Sequence, residues 1–337
     1  PSMRRILPVI GLILPLFMLA NCGGGGSAAD AGGGGGGGAS DLYKTTVYTE
    51  AQVTRRYTNL VFSHRPNEGG RQYTSELRAP TEIGTDQLTL LLDLWVPPNA
   101  SATTPVPLVI WVHGGGFEAG GKEERADDAM GYARAGYAAA SVNYRLTPDN
   151  TVDGATRLKA IMQASDDLMN AVRYLKVNAA RYHIDASRIA IIGTSAGGAL
   201  SLVNAVQFDD LDNTLSDYPG TSARVAAAIS TGATLIDPLF DSDPLLQYDA
   251  GDTPVLLFHA NPTDSATGAT WDGNVLPTKA RIDGSGNTCT AVSTANNAHT
   301  VPLVMDGKWW PTVGPFLREH LRLATLWQPA CAGRHWA

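Results

Sequence analysis

The segment 188–207 constrains the fold of this chain more than any other. An apolar, β-branched run ends at Ile192, and Gly193-Thr194-Ser195-Ala196-Gly197 follows. An alanine- and leucine-rich stretch, 196–207, comes next with helical character. Strand, turn and helix are joined with almost no connecting residues, so the turn is sharp and the neighbours of the serine must be small. Gly193, Ala196, Gly197 and Gly198 meet that demand. Such a turn holds Ser195 exposed, with its hydroxyl at the N-terminus of a helix. The G-x-S-x-G pattern alone is weak; between a strand and a helix it is specific.

The flanking sequence supplies a sheet into which that turn fits. Runs at 108–112, 138–144, 188–192, 225–230 and 255–259 are continuously apolar, as expected of strands buried on both faces of a parallel sheet. Helices are predicted between them at 122–135, 156–178 and 196–207. A weaker strand is expected at 289–294 and a final helix at 312–326. Two segments rich in β-branched residues, 45–62 and 88–96, are interrupted by polar residues and read as an antiparallel lead-in. The alternation predicts one α/β domain over 41–337, with a mostly parallel central sheet flanked by helices and no large cap domain. The residues between 207 and 225 are too few for a large lid. With 44% hydrophobic and 17% charged residues, the chain has material for a sizeable core.

A second glycine-rich motif lies about 80 residues before the first: His113-Gly114-Gly115-Gly116-Phe117, after the strand at 108–112. Glycines let backbone N–H groups approach a ligand closely. The expected role is an oxyanion site built from the N–H groups of Gly115 and Gly116, joined by that of Ala196. His113 is expected to brace the loop rather than act as a base.

The N-terminal 40 residues have a different character. Met3-Arg4-Arg5 precedes an apolar run over 6–20, broken by Pro8, Gly11 and Pro15. That pattern fits an export signal better than a membrane-spanning helix. It ends in Leu19-Ala20-Asn21-Cys22, similar to a bacterial lipoprotein signal, with Cys22 the lipidated residue and Asn21 a departure from the usual small residue. The expected organisation is a signal over 1–22 and a glycine-rich flexible tether over 23–40. The protein is then expected to be exported, and either lipid-anchored to a membrane through Cys22 or released as a periplasmic or extracellular enzyme. Twelve of the 36 glycines lie in these 40 residues, so the remainder carries an ordinary load. Net charge is −7 and no basic run of five occurs, which argues against a nucleic-acid partner. Three cysteines are too few for a disulfide scaffold or a zinc ribbon. In an exported protein, Cys289 and Cys331 are expected to pair. No spacing suggests a metal site, and no cofactor is expected.

The HGGGF and GTSAGG motifs, in this order, resemble those of the α/β-hydrolase fold. They are similar to carboxylesterases and lipases of the hormone-sensitive-lipase type and their bacterial relatives. The stretch Gly136-Tyr137-Ala138-Ala139-Ala140-Ser141-Val142-Asn143-Tyr144-Arg145-Leu146 is similar to the fourth-strand region of those enzymes. Two departures stand out. Thr194 occupies a position where the lipase-type family usually has Asp, and the segment before Leu88 is β-rich, unlike that family's helical cap. Shorter bacterial esterases, including feruloyl and acetylxylan esterase-like proteins, fit equally.

The resemblance implies a triad in the order Ser, acid, His. An imidazole takes the serine proton, and a carboxylate fixes its tautomer. The strand 255–259 is followed by Ala260-Asn261-Pro262-Thr263-Asp264, a turn one residue longer than usual, with Ala260 in place of the common glycine. Asp264 is the favoured acid, with Asp272 as the alternative. Of seven histidines, His299 lies in a polar loop before the last helix, where the resemblance places the base. His259, at a strand end, reads as a core residue. The implied chemistry is hydrolysis of a small-molecule carboxylic ester through an acyl-enzyme. An amidase, peptidase or acyltransferase would use the same triad, and a non-catalytic surface binding module remains a competing class. Phe117 and Trp309-Trp310 line an acyl pocket or simply pack. Arg145, with Asp166 and Asp167, is a candidate buried brace.

Overall fold

Along the strand Val106–Val112 (β3), every residue is buried. Leu108, Ile110 and Val112 face one apolar layer, while Val109 and Trp111 face the other. Side chains of a strand alternate between faces, so a run without polar interruption needs a cover on both sides. The computed structural model, which describes residues 41–66, 87–147, 150, 153–209, 216–237, 240–241 and 246–323, shows how that cover is built.

Eight strands form one sheet. These are β1 (Arg55–Pro66), β2 (Gln87–Val96), β3, β4 (Ala138–Val142), β5 (Ile184–Thr194), β6 (Ala227–Thr231), β9 (Val255–His259) and β10 (Cys289–Ser293). Their order is β1-β2-β4-β3-β5-β6-β9-β10. The β1–β2 and β2–β4 pairs are antiparallel and all others are parallel. This is the mostly parallel sheet with an antiparallel lead-in expected from the sequence. A separate two-stranded ribbon pairs β7 (Ile236–Asp237) with β8 (Phe240–Asp241).

One apolar layer packs α2 (Gly154–Val177) and α4 (Ala196–Gln207) against the sheet, through residues such as Ala164, Leu168, Leu200 and Val203. The opposite layer takes α1 (Ala126–Arg134) and α6 (Trp310–His320), through Ala129, Tyr132, Val313 and Leu317. Asp153 caps α2 by accepting the Thr156 N–H at 2.7 Å. The short α3 (Ala179–Tyr182) follows α2, and His183 at φ 57° ends it in the left-handed region.

Several boundaries differ from the sequence reading. The first strand starts at Arg55, because residues 50–52 form a single 3₁₀ turn. The expected helix at 122–135 is a 3₁₀ turn, Lys122–Arg125, leading into α1. An unforeseen helix, α5 (Leu276–Gly284), lies between β9 and β10. It buries only Thr278 and Ile282 at its face, too few apolar positions to mark a helical period. The last helix, expected over 312–326, runs from Trp310 to His320 and ends at the C-cap Leu321. The residues expected to form a signal and tether (1–40, with Cys22) lie outside the described residues.

Among the described residues there is no disulfide. Cys289 is a free thiol, buried at the start of β10, and Cys331, its expected partner, lies outside the described residues. Burial pushes the Cys289 thiol up to about 12 and keeps it protonated.

Candidate active site

Ser195 sits between β5 and α4 with φ 55° and ψ −120°, a backbone conformation that side chains other than glycine rarely adopt. The crowding around it explains the strain. A Cβ on Gly193 would lie 1.9 Å from the Gly197 carbonyl oxygen. A Cβ on Gly197 would lie 2.4 Å from the carbonyl oxygens of both Val112 and His113. The chain turns this tightly because β3, β5 and α4 meet there without room for side chains. The Ser195 N–H donates to the Thr231 carbonyl at 2.8 Å, extending the β5–β6 ladder by one bond.

The His113 loop lies directly over the serine. Gly114 is the residue in contact: a Cβ there would be 3.2 Å from Ser195 Cβ and 3.8 Å from its Oγ. Gly115 and Gly116 follow at φ 98° and 63°. His113 is fully buried and stacks on Tyr144 with ring centroids 4.2 Å apart. Its Nδ1 donates to the Gly114 carbonyl at 2.8 Å. Burial lowers its pKa to about 4, against the opposing effect of that bond, so it is neutral near pH 7. Tyr144 donates to the carbonyls of His113 (3.0 Å) and Gly114 (2.8 Å). These contacts make His113 a brace for the loop.

The candidate acid and the candidate base come from the loops after β9 and β10. Asp264 is 1% exposed. Its Oδ1 accepts the N–H groups of Ala266 (2.8 Å) and Thr267 (3.0 Å), and its Oδ2 accepts His299 Nδ1–H at 2.7 Å. Burial alone would raise the carboxyl; the bonds from His299, Thr267 and Ala266 outweigh it and hold it below its ordinary value. His299 Nε2 lies 2.7 Å from Ser195 Oγ. Asp272, the alternative acid, is exposed in the first turn of a π-type helical segment, Trp271–Val275. His259 is buried at the end of β9, with Nε2 3.7 Å from Asp264 Oδ2.

The Arg145 brace is present. Its guanidinium lies 2.9 Å from Asp167 and 3.3 Å from Asp166, and its backbone N–H donates to Asp167 at 2.8 Å. Burial first, then the neighbouring Asp167, push Asp166 up to about 6, although Arg65 and Arg145 oppose them. Trp309 and Trp310 serve packing: they meet Phe258 and Tyr132 edge to face, and Trp310 Nε1 donates to the Lys44 carbonyl at 2.7 Å. Phe117 is buried against Tyr144, with the Arg157 guanidinium 4.9 Å from its ring centre.

Two sets of contacts had no sequence signal. Asn150 Nδ2 and Arg157 donate to the Gly116 carbonyl at 2.8 and 3.0 Å, pinning the glycine loop to the start of α2. Thr231 binds both the serine backbone and the histidine loop. Neither belongs to a local motif. Among the described residues, no group of three His, Cys, Asp or Glu side chains is arranged to hold a metal ion.

The BD-FAE family matches residues 92–238 of the chain. Carboxylesterase NlhH of Mycobacterium tuberculosis is 35% identical over 52% of this chain and 53% of that protein. Ethyl acetate hydrolase of Pseudomonas putida is 32% identical over 36% of each. The chain thus spans about half the length, or less, of these two relatives. Among solved structures, a truncated carbohydrate esterase from gut microbiota superposes with a TM-score of 0.59 at 19% identity, over 82% of this chain and 99% of that one. Structural neighbours of this kind, with the sheet order above, identify the architecture as the α/β-hydrolase fold.

Proposed function

We infer that this chain of the α/β-hydrolase fold is a serine carboxylesterase, with Ser195 as nucleophile, His299 as base and Asp264 as acid. One observation carries the reading: an unbroken run of hydrogen bonds, 2.7 Å from Asp264 to His299 and 2.7 Å from His299 to Ser195. The relatives support the ester as the bond cleaved, since those reported above are named for ester hydrolysis.

On this reading the reaction runs in two stages. Donation of Nδ1–H to Asp264 leaves the Nε2 lone pair of neutral His299 facing the Ser195 hydroxyl. As Ser195 Oγ attacks the ester carbonyl carbon, its proton passes to Nε2. The carbonyl oxygen becomes an oxyanion, taken up by the N–H groups of Gly115, Gly116 and Ala196. Ala196 opens α4, where the first N–H groups have no partner within the helix. A donor of this kind contributes about 3–4 kcal/mol to the barrier reduction. The imidazolium, stabilised by Asp264, returns the proton to the leaving alkoxide, and the C–O bond breaks to give an acyl-enzyme. Water then attacks the acyl carbon, giving its proton to His299, which reprotonates Ser195 as the acid departs.

The test is hydrolysis of p-nitrophenyl esters from acetyl to palmitoyl by the purified protein and by its Ser195→Ala variant. Loss of turnover and of fluorophosphonate labelling in that variant supports the reading; retained turnover overturns it. Amide analogues of the same acyl groups distinguish an amidase. The N-terminal sequence further supports export and tethering through Cys22. Metabolic labelling with a palmitate analogue, lost in Cys22→Ala, is the expected outcome; equal labelling of both forms refutes the tether.

A further inference from the structure

The His299 loop is exposed over residues 295–298, yet His299 must be held at one height above Ser195. Most of its main-chain anchors run to the acid side. Thr294 N–H donates to the His259 carbonyl at 3.0 Å. The carbonyls of Asn296 and Asn297 accept the N–H groups of Asn261 and Ser265, each at 3.0 Å. These three bonds fix His299 relative to Asp264. They do not fix it relative to the serine.

Thr231 does. It is 1% exposed at the end of β6 and bonds to both the serine and the histidine loop. Its carbonyl accepts the Ser195 N–H at 2.8 Å, and its hydroxyl accepts the N–H of Val301, two residues after His299, at 3.0 Å. The next residue, Gly232 at φ 77°, allows the same approach: a Cβ there would lie 2.3 Å from the His299 carbonyl oxygen. We propose that Thr231 is a positioning residue that sets the distance between His299 and Ser195, with Gly232 providing the space. This rests on the reading of those two residues as base and nucleophile.

The consequence follows from the direction of the anchors. Without the Thr231 hydroxyl, the buried Val301 N–H loses its acceptor and the loop relaxes away from β6. The His299–Asp264 pair moves with its own loops and survives. Misplacement of reacting groups by about 1 Å costs about a hundredfold in rate.

The experiment compares Thr231→Val, Thr231→Ser and Ser195→Ala by steady-state kinetics on p-nitrophenyl acetate, fluorophosphonate labelling rate and thermal melting. T231V keeps the shape and removes the acceptor. Its expected result is a fall in kcat of about tenfold to a hundredfold, with kcat/KM falling in proportion and the acid limb of the pH profile unmoved. Labelling slows by the same factor, and T231S recovers most of the rate. Thr231→Ala carries the same expectation without a second methyl against the Val301 N–H, so a poorly folding T231V leaves the proposal refutable. Wild-type kcat in T231V or T231A, or equal losses in T231V and T231S, overturns it. A Ser195→Ala variant that still turns over overturns the parent reading instead.

Discussion

The two halves of the site are built on opposite principles. On the serine side, the chain is held by the absence of space: Gly193 and Gly197 sit where any Cβ would collide with backbone, and Ser195 is forced to a positive φ. On the acid–base side, residues 295–298, just before His299, are exposed, and the loops are held by backbone hydrogen bonds and by Asp264. Steric restriction writes itself into residue identity; backbone hydrogen bonds accept nearly any side chain. The serine side therefore carries a dense local motif, and the acid–base side carries almost none.

If both sides serve one reaction, their losses are not additive. Ser195→Ala and His299→Ala are each expected to lower kcat by about 10⁴- to 10⁶-fold, and the double variant by no more than the worse of them. Steady-state rates at matched enzyme purity read this directly. A double variant far slower than either single one would mean that the two sides contribute independently.

The next largest effect concerns stability. Gly197→Ala is expected to cost about 3 kcal/mol or more, because the new methyl meets two immobile carbonyls. Urea unfolding measures it. A cost below about 1 kcal/mol would remove the steric account of the serine side.

The sides also differ in how pH reaches them. The serine side leans on Tyr144, which precedes Arg145 and its buried partners Asp166 and Asp167. The Asp166 carboxyl titrates near 6, above its unfolded value. Its contribution is full below about pH 4 and is lost as pH rises through about 6. At about 1.4 kcal/mol per unit, the amount lost is about 2–3 kcal/mol. Asp264 has the opposite sign: depressed in the fold, it stabilises above the ordinary carboxylate range, and that contribution is lost as pH falls below it. Asp166→Asn is expected to gain on the wild type by about 2–3 kcal/mol between pH 4 and pH 7, followed by urea midpoints across that range. A constant difference between the two proteins would show that the cluster does not titrate there.

The smallest effect tests the tolerance of the histidine loop. Ala298→Ser, at an exposed position, is expected to change stability by less than about 0.5 kcal/mol. A melting curve that shifts well beyond that would show the loop to be as tightly packed as the elbow.

Legibility followed the same divide. The strands β3, β4, β6 and β9, and residues 189–193 of β5, are readable because both faces are covered, which leaves mostly apolar runs. The short helix α5 is not, since it buries few residues, and β1 begins later than its sequence suggests because its outer positions are exposed. What singles out His299 and Asp264 is the triad order that the family resemblance implies, together with their loop context. That their side chains meet is a contact across 35 residues, and with Ser195 across 104, distances over which no local pattern operates. Asn150, Arg157 and Thr231 had no signal at all, being ordinary residues in ordinary segments.

By itself the sequence determined where the chain must bend, which runs must be buried and which serine stands exposed, because sterics and burial act on neighbouring residues. The tertiary structure alone decided how far His299 stands from Ser195, that Gly114 is the residue touching the serine, and that β6 ties the two loops together. Those are relations between segments far apart in the chain, set by the register of strands and by backbone bonds that leave no mark on residue type.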